Sequence, residues 1–292
     1  MKISKLTALE AFKISPHPSF KHTTYFDVYD KIFNAYQDRE ITFVEVGVLH
    51  GGSLFMWREF FGPKAKIIGV DLNPRAKKWE VEGFEIRIGD QSDPSFWREL
   101  TSEFGSIDVF LDDGGHTYKQ QIITAECVLD SICNGGILVV EDTHTSYMEG
   151  FGDRNFSFIK YAKLWIDRIN SRFSSFDTDQ NGHKIWSVEF FDSIVAFKVT
   201  KKASGLKSEP IWNIQNAQYD GDFRHLGDAV DFKKFKEIQT IMKLAFSIDN
   251  KLANNQITIT KDRLFGLLNV WLEQHPQDRE ELRDLIAKSL KV

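Results

Sequence analysis

Ile41-Thr42-Phe43-Val44-Glu45-Val46-Gly47-Val48-Leu49-His50-Gly51-Gly52-Ser53 is the stretch on which the fold turns. Its first half is apolar and β-branched, and is short enough for a buried strand. Glycines then let the backbone turn sharply. From Leu54 to about Phe61 the pattern reads as a helix, which Gly62-Pro63 ends. Strand, glycine turn and helix together set a ligand at a helix N-terminus on the carboxyl edge of a parallel sheet. A dinucleotide fingerprint needs glycine at 47, 49 and 52, and position 49 is Leu, which disfavours a dehydrogenase.

The same unit recurs downstream. Ala65 to Asp71 reads as a second strand ending in an acid, placed either to accept ribose hydroxyls or to cap a helical turn beyond Asn73-Pro74. Phe84 to Ile88 is a third strand, followed by the polar loop Gly89-Asp90-Gln91-Ser92-Asp93. That loop suits an adenine edge or simply caps a helix over 94–104. Ile107 to Leu111 is a fourth strand and runs into Asp112-Asp113-Gly114-Gly115-His116, with His116 opening a helix over 116–132. Ile122, Ile123, Ala125, Val128, Leu129 and Ile132 are available for its inner face, and Asn134-Gly135-Gly136 stops it. Ile137 to Val140 is a fifth strand ending in Glu141-Asp142, with Thr143-His144-Thr145-Ser146-Tyr147 beyond it. An amphipathic helix spans 155–173. Lys184 to Phe191 and Ser193 to Val199 form a hairpin turning at Asp192. The fold class is therefore α/β, with seven strands, the last two a hairpin and one of them antiparallel.

The flanks differ in character. Residues 1–24, with Pro16 and Pro18, read as an irregular arm able to fold over something. Phe26, Tyr29, Ile32, Phe33 and Tyr36 make a helical aromatic stripe of the kind that usually belongs to a core. The spacing predicts an arm and helix over 1–40, a main domain over 41–202, a linker over 203–227 and a helical extension over 228–292. That extension would serve as a lid, a docking element or a homo-oligomer contact.

Composition narrows the class. The chain has 292 residues, 42% of them hydrophobic and 25 of them Phe, which is ample for a large core. A formal charge of -5 gives no basic surface for nucleic acid. No apolar run is long enough for a membrane span, and the first residues lack the apolar core of a secretory signal. Cys127 and Cys133 suit neither a zinc site nor a disulfide framework. A cytoplasmic protein is expected.

One Asp after a strand is usually a helix cap. Two acidic pairs and a histidine at neighbouring strand ends suggest an active site instead. On these motifs the sequence resembles the class I S-adenosylmethionine-dependent methyltransferases and their Rossmann-like sheet. Glu45-Val46-Gly47 through Ser53 looks like the first motif of the metal-dependent O-methyltransferases, the catechol O-methyltransferase group among them. The resemblance implies that Gly47 approaches the methionine part of the cofactor and that Ser53 binds its carboxylate. It also implies that Asp71 holds the ribose and that Asp90 and Gln91 contact the adenine. Glu45 and Asp112 join this cofactor set. The metal ligands implied are Asp113, Glu141 and Asp142, with Asp112 the second choice to Asp113, because alternate residues of a strand point apart. Three carboxylates suit magnesium or manganese.

Where catechol-type enzymes have a lysine, this chain has His116. That agrees better with macrolide-sugar O-methyltransferases of the macrocin and mycinamicin type. Asp112-Asp113-Gly114-Gly115-His116, Glu141-Asp142-Thr143-His144 and Phe190-Phe191-Asp192-Ser193 also resemble that group. Cephalosporin-hydroxylase-associated proteins share parts of the pattern. The likeness covers roughly residues 20–200 and implies methyl transfer to a hydroxyl of a sugar or sugar-bearing natural product. An imidazole, ordinarily half-protonated near pH 6.5, is mostly neutral at pH 7 and can take the hydroxyl proton. His116 is the first candidate base and His144 the rival. The alternative is a non-catalytic nucleotide-binding or assembly protein on the same fold.

Overall fold

The structure, a computed structural model, describes residues 5–170, 185–206, 211 and 213. Five strands pair in parallel: β1 (Thr42–Val46), β2 (Lys66–Asp71), β3 (Glu85–Ile88), β4 (Ile107–Asp112) and β5 (Ile132–Val140). The hairpin β6 (Ile185–Phe191) and β7 (Ile194–Val199) completes a seven-stranded sheet in the order β3-β2-β1-β4-β5-β7-β6, with β7 antiparallel to β5 and β6. The chain order reverses between β1 and β4, and that switch point is where open α/β sheets bind ligands.

Two helical layers cover the sheet. On one face lie α1 (Ala8–Ile14), α2 (Tyr25–Phe33) and α3 (Gly52–Phe61), against Phe43, Val109, Leu111, Ile137 and Val139. On the other lie α4 (Pro94–Phe104), α5 (Tyr118–Val128) and α6 (Phe158–Asn170), against Val44, Val46, Phe110, Leu138 and Val140. Successive strand residues alternate between the layers, as the pleat requires. The first layer is dense in aromatic rings. Trp57 is fully buried and sits 5.0–5.6 Å, centroid to centroid, from Tyr29, Phe33, Phe43 and Phe61. The aromatic stripe on α2 is core, as its spacing predicts.

Several local expectations need correction. The arm is not wholly irregular, because Thr7 and Glu10 form a reciprocal capping box that starts α1. His116 does not open a helix. It stands at φ +60°, and α5 begins at Tyr118, with Thr117 as its N-cap in a capping box with Gln120. The buried side of α5 carries Tyr118, Gln121, Thr124, Ala125 and Val128, with Ile122 and Ile123 only partly buried. Asn134-Gly135-Gly136 does not precede β5 but lies inside it, next to a register shift between Ile107 and Val109. Gly136 is needed there, since a Cβ would meet the Asp108 carbonyl and Ile132. The expected linker is described only over 203–206, 211 and 213, and the helical extension 228–292 lies outside the described residues. Met1–Ile211 cluster as one compact unit, which joins the arm to the main domain. Among the described residues no helix is long and apolar enough to cross a membrane.

The arm is strapped over the glycine turn. Ser15 Oγ donates to the Gly52 carbonyl at 2.8 Å, and His17 packs on Phe55 and Trp79. The carbonyls of His17 and Pro18 occupy the space that a Cβ on Gly52 would need, and Trp79 fills the space beside Gly51, which has φ +82°. Gly52→Ala should lift the strap and leave the sheet intact. Overpacking of this kind costs roughly 1–3 kcal/mol. Tryptic cleavage after Lys21, a buried side chain, should then quicken by about tenfold or more. An unchanged digestion rate would show that the strap is held elsewhere.

Candidate functional site

Strand alternation decides which acids meet. Glu45 follows Phe43 on β1, Asp113 follows Leu111 beyond β4, and Glu141 follows Val139 beyond β5, so all three project into the α2–α3 layer. Pairing continues past the strand ends, with Asp113 N–H on the Val46 carbonyl at 3.0 Å and Glu141 N–H on the Asp112 carbonyl at 2.9 Å. Three neighbouring strands thus bring three carboxylates to one side of the sheet edge. Asp112 projects to the other side, where Gln91 Nε2 donates to it at 3.0 Å and the Gly114 N–H at 3.2 Å.

A lysine of the arm fills the space between the three acids. Lys21 Nζ donates to Asp113 Oδ2 at 2.6 Å and to Glu141 Oε2 at 2.8 Å, and lies 3.9 Å from Glu45 Oε1. Its side chain is 2% exposed. Burial works against the ammonium charge, but Asp113 and Glu141 outweigh it and hold the pKa well above the usual lysine range. Removing one partner of such a buried pair strands the other and typically costs about 3–5 kcal/mol. Tyr29 closes the cluster by donating to Glu141 Oε1, and its own pKa rises through burial and that neighbour. Glu45 is fully buried, takes Ser53 Oγ at 2.7 Å and Trp57 Nε1 at 2.9 Å, and is pushed by burial to about 7.

Asp142 stands apart from this closed cluster. It adopts φ +53°, and Tyr25 donates to its Oδ1. His116 Nε2 lies 3.3 Å from Asp142 Oδ2. Both residues hold left-handed backbone that side chains other than glycine rarely adopt, at a cost of order 1–3 kcal/mol each. Thr145 Oγ1 helps fix the pair, donating to the His116 carbonyl at 3.1 Å and the Asp142 carbonyl at 2.8 Å. His116 Nδ1 is buried and has no hydrogen-bond partner among the described residues. Asp113, His116 and Asp142 each present one donor atom within 4.8 Å of the others, as do His22, Asp142 and His144. His144 is exposed and its Nδ1 is bonded to Ser193 Oγ.

Lys21, Tyr25, Asp113, His116, Glu141 and Asp142 rim a cavity of ≈ 770 Å³ above β1, β2 and β4, a size that suits a small-molecule or cofactor site. Its wall includes Gly47, Asp71, Asp90, Gln91, Asp113, His116, Glu141 and Asp142. Gly47 has φ +94°, and a Cβ there would strike the Asp113 carbonyl, so only glycine lets the two loops meet. Asp71 accepts the N–H groups of Val48, Leu49 and Asn73, which leaves part of its lone-pair capacity facing the cavity. Asp90 is held by the Ser92 N–H in a local turn, and its pKa is lowered by its Ser92 hydrogen bonds. Gln91 accepts the Gly115 N–H at 2.7 Å. Glu45, Ser53 and Asp112 are not on the wall. They are buried beneath it and brace the loops that form it.

Sequence reasoning missed Lys21, Tyr25 and Tyr29. Tyr29 belongs to a stripe whose period reports burial and is silent about where a hydroxyl ends, and Tyr25 stands just before that stripe. Lys21 follows two prolines in a stretch without periodicity, which carries no local signal for it.

Comparison with known proteins agrees with this architecture. Residues 44–143 match the model of a methyltransferase domain. The chain is 34% identical over 135 residues to 8-demethyl-8-alpha-L-rhamnosyl tetracenomycin-C 2'-O-methyltransferase of Streptomyces olivaceus, covering 44% of this chain and 35% of that one. It is 32% identical over 131 residues to demethylmacrocin O-methyltransferase of Streptomyces fradiae, covering 42% and 33%. The chain thus spans about a third of the length of these curated relatives. The crystal structure of MycE methyltransferase from the mycinamycin biosynthetic pathway, in complex with Mg and SAH, superposes with a TM-score of 0.62 at 24% identity, covering 73% of this chain and 59% of that one. Residues 44–143 are thus similar to the methyltransferase-domain model, and the sheet shares its fold with MycE.

Proposed function

We propose that the chain is a magnesium-dependent O-methyltransferase that moves a methyl group from S-adenosylmethionine to a hydroxyl of a sugar or sugar-bearing natural product. The observation that carries this reading is the pairing of His116 with Asp142 on the wall of the glycine-loop cavity, beside Asp113. The relatives, named for methylating rhamnosyl tetracenomycin and demethylmacrocin, support the acceptor class. A binding or assembly module has no evident use for an imidazole held on strained backbone beside a carboxylate at that point.

The cavity fits the methyl donor. Gly47 permits close approach at the methionine end, Asp71 retains acceptor capacity for ribose hydroxyls, and Asp90 and Gln91 stand on the wall where the adenine is expected. When bound, S-adenosylmethionine supplies an electrophilic methyl and a leaving group that needs no acid. The donor set also fits a hard divalent ion. Asp113 and Asp142 each keep an oxygen facing the cavity, and one or two carboxylates with waters are a common magnesium environment. When bound, such an ion stabilises negative charge developing on the acceptor oxygen. His116 takes the acceptor proton on Nε2, the nitrogen near Asp142, since Nδ1 is enclosed. His144 is off the cavity wall and bonded to Ser193, which makes it the weaker candidate. A cytoplasmic setting suits the free thiols of Cys127 and Cys133.

Mass spectrometry of an acceptor panel incubated with S-adenosylmethionine and magnesium tests the proposal. A methylated glycoside is expected, with its formation suppressed by chelator and restored by added magnesium. Product that forms equally well in chelator would remove the metal from the reading. His116→Asn should lower kcat by about 10²–10⁴-fold, while the Kd for S-adenosylmethionine stays within about threefold, a shift under 1 kcal/mol. His144→Asn should cost less than about tenfold in kcat. A reversal of that order would give the base role to His144.

A further inference from the structure

Lys21 changes what the carboxylate cluster can hold. Its ammonium already bridges Asp113 Oδ2 and Glu141 Oε2, and Tyr29 takes the other oxygen of Glu141. Glu141 is 0% exposed and Lys21 2%, whereas Asp113 and Asp142 are 20% and 19% exposed. An ion arriving from solvent meets Asp113 and Asp142, whereas both oxygens of Glu141 are already taken by Lys21 and Tyr29. Two cations on the same inner oxygens would repel strongly at such range in a low-dielectric setting.

We infer that Lys21 is a built-in cation that occupies the inner half of the carboxylate cluster and confines a divalent ion to the outer half, formed by Asp142 and Asp113. Glu141, expected from sequence as a metal ligand, then serves as the counter-ion of Lys21. The same contact anchors the arm, because the backbone leading to Lys21 crosses the Gly52 strap. This assignment rests on the metal-dependent reading of the site, but metal binding can be measured without turnover.

The test is Mn²⁺ titration of the full chain, followed by calorimetry and by the paramagnetic signal of free ion, for wild type, Glu141→Gln, Asp142→Asn and Lys21→Met. Asp142→Asn should weaken Mn²⁺ binding by about 10–100-fold, whereas Glu141→Gln should leave it within about threefold. Lys21→Met should bind Mn²⁺ at least about tenfold more tightly, because a competing charge is gone. Added Mn²⁺ should also raise its melting temperature more than that of wild type. If Lys21→Met does not fold, the comparison of Glu141→Gln with Asp142→Asn in the otherwise native chain still decides. Equal weakening by those two substitutions would overturn the assignment, and so would unaltered Mn²⁺ affinity in a folded Lys21→Met. Either result leaves the methyl-transfer proposal standing. Absence of Mn²⁺ binding to the wild-type chain, with S-adenosylmethionine binding intact on the same sample, would overturn the assignment and the metal dependence together.

Discussion

The ammonium of Lys21 is the contact on which the edge of the sheet depends. Glu45, Asp113 and Glu141 leave three adjacent strands on one face and are drawn together by the pleat. Glu45 and Glu141 are fully buried, and burial together with the charge of Asp113 raises both pKa values. A single buried cation changes the outcome. It must come from outside the sheet, which requires the arm to lie over the glycine turn and explains why Gly52 leaves no room for a Cβ beneath it.

Two neighbouring aspartates show how far one peptide unit can separate environments. Asp113 faces Lys21 and the cavity. Asp112 faces the opposite layer, and burial pushes its carboxyl to about 6 against the hydrogen bonds of Gln91 and Gly114. Asp112 braces the loop that Gly114 and Gly115 need in order to turn. The next residue, His116, is carried to the cavity wall with a strained backbone, a form of preorganisation that is stable only because Thr145 and the capping box at Thr117 hold both sides.

Much of the architecture was legible because burial leaves a periodic trace. Runs such as Phe43-Val44 and Leu138-Val139-Val140, closed by acids and glycines, specified strands, their order in the chain and the edge where chemistry would sit. β5 began earlier than its glycines suggested, since Gly135 and Gly136 serve a register shift and not a helix stop. Ser53 carried a binding motif but spends its hydroxyl on Glu45. Asp71, Asp90 and Gln91 stand on the cavity wall, yet their first hydrogen bonds hold loops together.

The sequence by itself determined that acids and a histidine stand at the carboxyl ends of parallel strands, and alternation along a strand was enough to separate Asp113 from Asp112. Those are local properties, set by a period of two and by glycine. Which cation neutralises the acids was decided by tertiary structure alone. Lys21 lies 92 residues from Asp113 and 120 from Glu141. No spacing rule connects an aperiodic arm to two strand ends, and only the folded chain, by burying Lys21 and Glu141 together, makes their mutual compensation obligatory.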